Sequence, residues 1–275
     1  MGRIIAFRAQ GDDLEPLTLN ADTLDEATLQ TAHGVYSVFR LYPGRRVLRL
    51  PHHLERMRAS AQLLGFPFPH SDAWLRTAVR QAVEAGGIEM PRVRLTIPFA
   101  EPDSALILLE PFSPPSAEVY ERGVRVSLAH SRRQMPRAKD SRFIETRRKL
   151  AVEHDGGAFE VILCREDGAL LEGTSSNFYA VLDGVLRTAG EDVLEGIARS
   201  ILLEVAPAVL PVALEPVQVD DLLHLSEAML TSASRGVIPV VQIEETVIGD
   251  GRPGPFTAQL RARYDQQVER ELEPL

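Results

Sequence analysis

The sequence predicts an α+β protein of two domains, with mixed and antiparallel sheets and flanking helices. Three observations predict it. Short β-rich runs come in pairs joined by turn signals at Pro43-Gly44, Asp167-Gly168 and Asp183-Gly184, the pattern of antiparallel hairpins. Strands do not alternate regularly with helices, which speaks against a doubly wound parallel sheet. Three prolines fall within residues 111–115, and proline fixes φ and removes a donor, so this run breaks regular structure. The expected division is a small domain at 1–111, a linker at 112–118 and a large domain at 119–275.

The elements follow in order. Residues 35–42 (VYSVFRLY) and 46–50 read as strands around Pro43-Gly44. Residues 52–65 place Leu54, Met57, Ala61 and Leu64 at helical spacing, and Gly65 stops the helix. A second helix at 72–85 ends at Gly86-Gly87. Strands follow at 93–97, 105–110 and 124–129, then a helix at 141–154. FEVILC with ALLEG and NFYAVL with VLRTA are strand pairs. Helices at 197–205 and 219–224, strands AMLTS and VIPVVQI, and a last helix from near Gly254 complete the chain.

Composition narrows the function. The 275 residues are 44% hydrophobic and 25% charged, which excludes wholesale disorder. A net charge of -9 argues against a duplex-binding protein, which needs a basic face for phosphates. The one cysteine, Cys164, excludes an internal disulfide and a cysteine-rich zinc site, and it reads as a small core residue. No run is long and apolar enough to span a membrane, and the apolar N-terminal run is too short for a signal peptide. No nucleic acid, no membrane and a cytoplasmic location are the expectations. Of 30 basic residues only Lys139 and Lys149 are lysine. Arginine does not surrender its proton, so chemistry that needs a side-chain amine has two candidates.

Lys139 precedes the basic stretch Arg142, Arg147, Arg148, Lys149. It reads either as part of a solvated basic face or as an amine kept nucleophilic by crowded cations. Lys149 has no motif around it and reads as a surface residue. Glu172 closes the hydrophobic strand ALLEG, where a carboxylate is costly unless paired. It faces either water or a protonated ring nitrogen. VLEGIARS sets Gly196 before a helix, and TSASRG lies between two strands; either can offer backbone N–H groups to an anion. Arg56 stands at i+3 from His53, on the same helix face, and can reach a phosphate. The adjacent His52 and His53 lack a third ligand, so no metal is expected. No GxGxxG, P-loop or GxSxG occurs.

The order of these segments resembles the class IV, fold-type IV pyridoxal-phosphate enzymes, from about Gly34 to about Tyr264. This group holds the branched-chain and D-amino-acid aminotransferases and aminodeoxychorismate lyase. HGVYSVFRLY…HHLERM resembles the family's Gly-aromatic strand and histidine-x-x-arginine helix. AKDSRF stands in the place of the lysine segment. LLEGTSSNFYAV, VLEGIARS and TSASRGVIPVV resemble the glutamate strand and the two phosphate loops, and IGDGRPGPFTAQL the C-terminal signature.

The resemblance implies a D-amino-acid aminotransferase-like fold whose large domain binds pyridoxal 5′-phosphate. Lys139 would form the Schiff base and Glu172 would pair with the pyridine nitrogen. Arg56, Gly196, Ile197, Ala198, Ser232 and Ala233 would hold the phosphate. Tyr36 would line the substrate pocket, and Arg40, Arg94 and Arg142 are the candidates for the substrate carboxylate. The implied reaction moves an amino group between an amino acid and a 2-keto acid, in a homodimer. A further reason for the dimer is that VYSVFRLY, read as an edge strand, should be covered.

Departures from the family pattern are Glu195 for a proline, Ala198 and Ala233 for threonines, and Pro98-Phe99 for an Arg-Gly pair. Alternatives are a lyase of the aminodeoxychorismate type, marked by pyruvate release without an acceptor, and a non-catalytic cofactor- or metabolite-binding protein, marked by the lack of any spectral response to amino donors.

Overall fold

The computed structural model describes residues 4–154 and 156–275. They form two compact units. The first comprises residues 4–113, 138–145 and 271–275, and the second residues 114–137 and 146–270, Asp155 apart. The first break falls inside the expected linker. The unit assignment differs from a single cut, because residues 138–145 and 271–275 group with the first unit.

The first unit opens with a hairpin of β1 (Ile5–Gln10) and β2 (Asp13–Leu17), then a short helix α1 (Leu24–Leu29) capped by the Thr23 side chain. Next come β3 (Gly34–Tyr42), β4 (Arg46–Leu48), α2 (Leu50–Leu63), α3 (Asp72–Gly86), β5 (Pro91–Pro98) and β6 (Ser104–Pro111). The strands form one antiparallel sheet, in the order Leu272–Pro274, β4, β3, β5, β6, β1, β2.

Side chains alternate across β3 and β5. Val35, Phe39 and Leu41 of β3, with Val93, Leu95 and Ile97 of β5, join Leu54, Met57, Leu75 and Val79 of α2 and α3 in the main core. The opposite face packs Ala6, Leu108 and Val38 against Leu24 and Ala27 of α1. β3 is therefore an interior strand, paired with β4 on one side and β5 on the other. The expectation that VYSVFRLY is an edge strand is corrected, and the edge-covering reason for a dimer goes with it.

The second unit contains α4 (Ala117–Arg122), β7 (Val124–His130), α5 (Phe143–Glu153, from Thr146), β8 (Glu160–Cys164), β9 (Leu170–Gly173), β10 (Asn177–Leu182) and β11 (Val185–Arg187). It continues with α6 (Ile197–Val205), β12 (Val212–Ala213), β13 (Glu227–Ser232), β14 (Gly236–Ile243), β15 (Thr246–Val247) and α7 (Pro255–Glu271, to Arg270). Residues 219–224 form a 3-10 turn with a capping box rather than an α-helix.

The sheet order is β12, β11, β10, β13, β14, β7, β8, β9. β9 pairs back to β10 at Glu172 and Asn177, which closes six strands into a ring. Closure removes the open edges that would otherwise seek partners. Its core includes Ile162, Cys164, Leu170, Phe178, Leu230 and Ile238.

Three strand pairs are parallel: β7 with β8, β14 with β7, and β11 with β12. A crossover through α5 joins β7 to β8, and one through α6 joins β11 to β12. Parallel neighbours need such long connections, and the tight turns that mark hairpins in the sequence carry no sign of them.

Gly34 starts β3 because nothing larger fits. A Cβ there would lie 2.0 Å from the Ile97 carbonyl oxygen and 2.9 Å from the Pro98 Cα. Both are backbone atoms of the paired strand and cannot swing away. Gly34→Ala should lower unfolding stability by about 3 kcal/mol or more, as overpacking against a fixed neighbour does. A urea titration checks this, and a midpoint within error of the parent would contradict it.

Candidate active site

The two lysines separate cleanly. Lys149 is exposed on α5. Lys139 is half-buried in the first unit, and its main chain is held on both sides. Its carbonyl accepts the Tyr36 amide of β3 at 3.0 Å, and its amide donates to Ser60 Oγ of α2 at 3.0 Å. The next residue, Asp140, bridges Val35, and the Ser141 amide donates to the Gly34 carbonyl. Lys139 Nζ stands 4.9 Å from the centre of the Tyr36 ring.

Arg56 belongs to the same neighbourhood. His53, Arg56 and Ser60 follow at i, i+3 and i+7 on α2, one stripe of the helix. Arg56 donates through Nη2 to Ser37 Oγ at 2.8 Å, and its carbonyl accepts Ser60 Oγ–H at 2.7 Å. Burial pushes His53 well below its usual pKa, and the charges of Arg56, Lys139 and His52 push the same way. The ring is therefore neutral at physiological pH.

The three arginines considered for a substrate carboxylate have different surroundings. Arg94 is buried and bonded to the Leu24 carbonyl, Thr28 Oγ1 and Asp25, with its guanidinium 5.1 Å from the Tyr36 ring centre. Arg142 pairs with Asp140 and lies over Phe99. Arg40 lies against the rings of Tyr42 and Phe112 at 4.2 and 4.7 Å. Among the described residues it is the one of the three with no carboxylate at its guanidinium.

The second unit gathers the remaining residues. Glu172, at the end of β9, is buried. Its Oε1 accepts Arg133 Nε at 2.7 Å, and its Oε2 accepts the Leu194 amide at 3.1 Å and Asn177 Nδ2 at 3.4 Å. Asn177 also donates to the Leu194 carbonyl at 2.8 Å. Two residues on, Gly196 is the N-cap of α6, and no side chain caps that helix. The amides of Ile197 and Ala198 stand in its first turn, where a helix has no internal acceptors for them. A Cβ on Gly196 would lie 2.2 Å from Asn177 Oδ1.

Ser232 and Ala233 lie in the β13–β14 turn. Arg235 of that turn donates to Ser232 Oγ through Nε, and to Glu160 and Ser175 Oγ through Nη2 at 2.9 Å. Burial alone would raise the Glu160 pKa; the charge of Arg235 and hydrogen bonds from Thr174 and Ser175 outweigh it and hold the carboxyl below its usual range.

Three of these participants went unseen in the sequence. Arg133 is one arginine among 28, Glu160 sits inside a strand, and Ser60 lies in a helix. No local pattern distinguishes them, because their partners are 39, 75 and 79 residues away.

The sequence pattern described as amino-transferase class IV matches residues 34–243. The chain belongs to the class IV aminotransferases. It is 31% identical over 254 residues to a probable branched-chain-amino-acid aminotransferase of Thermotoga maritima, covering 90% of this chain and 89% of that one. It is 28% identical over 262 residues to the D-alanine aminotransferase of Bacillus licheniformis, covering 89% and 91%. Among solved structures, the branched-chain aminotransferase of Thermoproteus uzoniensis with norvaline superposes with a TM-score of 0.80 at 25% identity, covering 98% of this chain and 99% of that one. The T.th. branched-chain amino acid aminotransferase with pyridoxamine 5′-phosphate has the same fold, with a TM-score of 0.80 at 22% identity and 98% coverage of each chain.

Class IV aminotransferases use pyridoxal 5′-phosphate, and the donor set of this family member fits that group. Each unit carries chemistry of the kind that group needs: an amine and an arginine in the first, a buried carboxylate and a helix start without a side-chain cap in the second.

The Arg133–Glu172 pair should dominate the stability of its surroundings. Removing one member of a buried pair strands the other charge, at a cost of about 3–5 kcal/mol. Arg133→Met should therefore destabilise by that amount in urea, and adding Glu172→Leu to the same chain should recover part of it. A single variant with parental stability would show the pair to be dispensable.

Proposed function

We propose that Lys139, Glu172, Arg56 and the α6 start carry transamination between an amino acid and a 2-keto acid. The observation that carries this reading is the placement of Lys139, with its main chain clamped by β3 and α2 and its amine beside Tyr36, while Lys149 is exposed. Pyridoxal 5′-phosphate, when bound, supplies an electron-accepting ring that stabilises negative charge at the amino acid's Cα.

Lys139 holds the cofactor covalently between turnovers. Its Nζ would be the acid–base group that moves the substrate's Cα proton, for which the bound cofactor would supply the electron-accepting ring. Glu172 keeps the ring nitrogen protonated, and Arg133 orients the carboxylate for that task. Arg56, the amides of Ile197 and Ala198, and the Ser232–Ala233 turn hold the phosphate. Gly196 keeps the α6 start open, as the clash of any Cβ with Asn177 requires. Tyr36, propped by Arg94, lines the substrate side of the lysine. The donor screen that follows from the relatives' names pairs D-alanine and the branched-chain amino acids with 2-keto acids.

Lys139→Ala should abolish transamination and the visible absorption of the lysine-bound cofactor, and Lys149→Ala should leave both. A dead Lys149→Ala beside an active Lys139→Ala would overturn the assignment.

The assembly proposed is a homodimer in the cytoplasm. The support is family membership, together with the finding that no described helix is long and apolar enough to cross a membrane. Sedimentation at micromolar concentration should give the mass of two 30.4 kDa chains. A fully active monomer would refute the dimer.

A further inference from the structure

Ser37 is out of place on its face of β3. Its neighbours on that face, Val35 and Phe39, are core residues, and a buried hydroxyl among them is costly unless both its roles are filled. Two polar side chains of one α2 turn, His53 and Arg56, meet it. Arg56 Nη2 donates to Ser37 Oγ at 2.8 Å, and His53 Nδ1 lies 2.7 Å from the same oxygen. A guanidinium can only donate, so the serine oxygen accepts from Arg56 and shares one further hydrogen with His53 Nδ1. The imidazole is held in turn by the Phe39 ring, at 5.3 Å between centroids.

The serine oxygen is thus fixed between the imidazole and the guanidinium, with a lone pair facing the arginine. Arginine carries a long and adaptable side chain, and a guanidinium already held in place loses less freedom when it meets an anion. The same helix turn also reaches the lysine, because the Arg56 carbonyl accepts from Ser60 and Ser60 accepts from the Lys139 amide.

We propose that Ser37 is a positioning residue for the cofactor's phosphate. It acts through Arg56, and His53 holds the same oxygen in place. The proposal rests on the reading that Arg56 holds the phosphate.

The test measures the dissociation constant of pyridoxal 5′-phosphate by equilibrium dialysis for the parent, Ser37→Ala, Ser37→Thr, Arg56→Ala and the double variant Ser37→Ala/Arg56→Ala. Thermal unfolding of each protein is recorded alongside. Ser37→Ala should weaken cofactor binding about tenfold, the share of one charge-assisted hydrogen bond. Ser37→Thr, which restores the hydroxyl, should stay within about twofold of the parent on the same scale. In the Arg56→Ala background, Ser37→Ala should change nothing further, because independent sites add and coupled ones do not. The phosphorus resonance of the bound cofactor should shift in Ser37→Ala holoenzyme.

Parental affinity in Ser37→Ala, with Arg56→Ala weakened, would overturn the role of Ser37 and leave the phosphate reading intact. An equal loss from Ser37→Ala in both backgrounds would show an effect that bypasses Arg56, and would also overturn it. Parental affinity in Arg56→Ala would instead remove the phosphate reading, and the proposal with it.

Discussion

The carboxylate of Glu172 has almost no contact with solvent, and much of the second unit is organised around it. It sits where β9 meets β10 and the ring of strands closes. Arg133 comes to it from the segment after β7, Asn177 from β10, and the Leu194 amide from the approach to α6. An ionised group removed from water is tolerable only when its neighbours replace the water. Meeting that requirement fixes three pieces of chain that are distant in sequence. The start of α6 inherits its position, since Gly196 lies two residues beyond Leu194 and against Asn177. One carboxylate thus sets both the closure of the strand ring and the position of the α6 start.

In the first unit the comparable part belongs to a helix rather than to a charge. α2 packs Leu54 and Met57 into the core and turns His53, Arg56 and Ser60 toward β3 and the lysine segment. Helical spacing places these groups at fixed intervals, so the lysine and the arginine are measured off one rigid rod. The β13–β14 turn is held in a third way, by Arg235 reaching back to Glu160 and Ser175. Acid weakens this link: the folded-state pKa of Glu160 lies below its usual value, so its contribution is present above the usual carboxylate range and is lost as pH falls through the folded value.

Where local chemistry sufficed, the sequence was legible. α3 announces itself through Leu75, Ala78, Val79, Ala82 and Val83 at helical spacing, and the β10–β11 hairpin through Asp183-Gly184. Lys139 and Glu172 stand out as candidates because few lysines compete and because a carboxylate in an apolar strand is conspicuous, and the fold shows that carboxylate buried and paired. The β1–β2 hairpin was not read, since DLEPL has little β-preference and is ordered by pairing with β1. Leu272–Pro274 is likewise a strand only because β4 accepts it. The parallel pairs were missed because crossover lengths leave no mark in local composition. Ser37 has no motif to mark it; only the fold shows a buried oxygen between an arginine and a histidine.

The last residues of the chain belong to the sheet that the first residues begin. Leu272–Pro274 pairs with β4, Glu271 grips Arg49, Glu273 accepts the Leu50 amide, and Leu275 enters the core. The second unit is thus inserted in sequence between two parts of the first, and the sheet waits for a strand made long after β4. During synthesis residues 4–113 must persist with β4 as a raw edge while residues 114–270 are still being made. Closing so long a loop slows assembly far more than it weakens the finished fold. A protein built this way depends on residues 272–274 for completion, and losing them would leave that sheet unfinished.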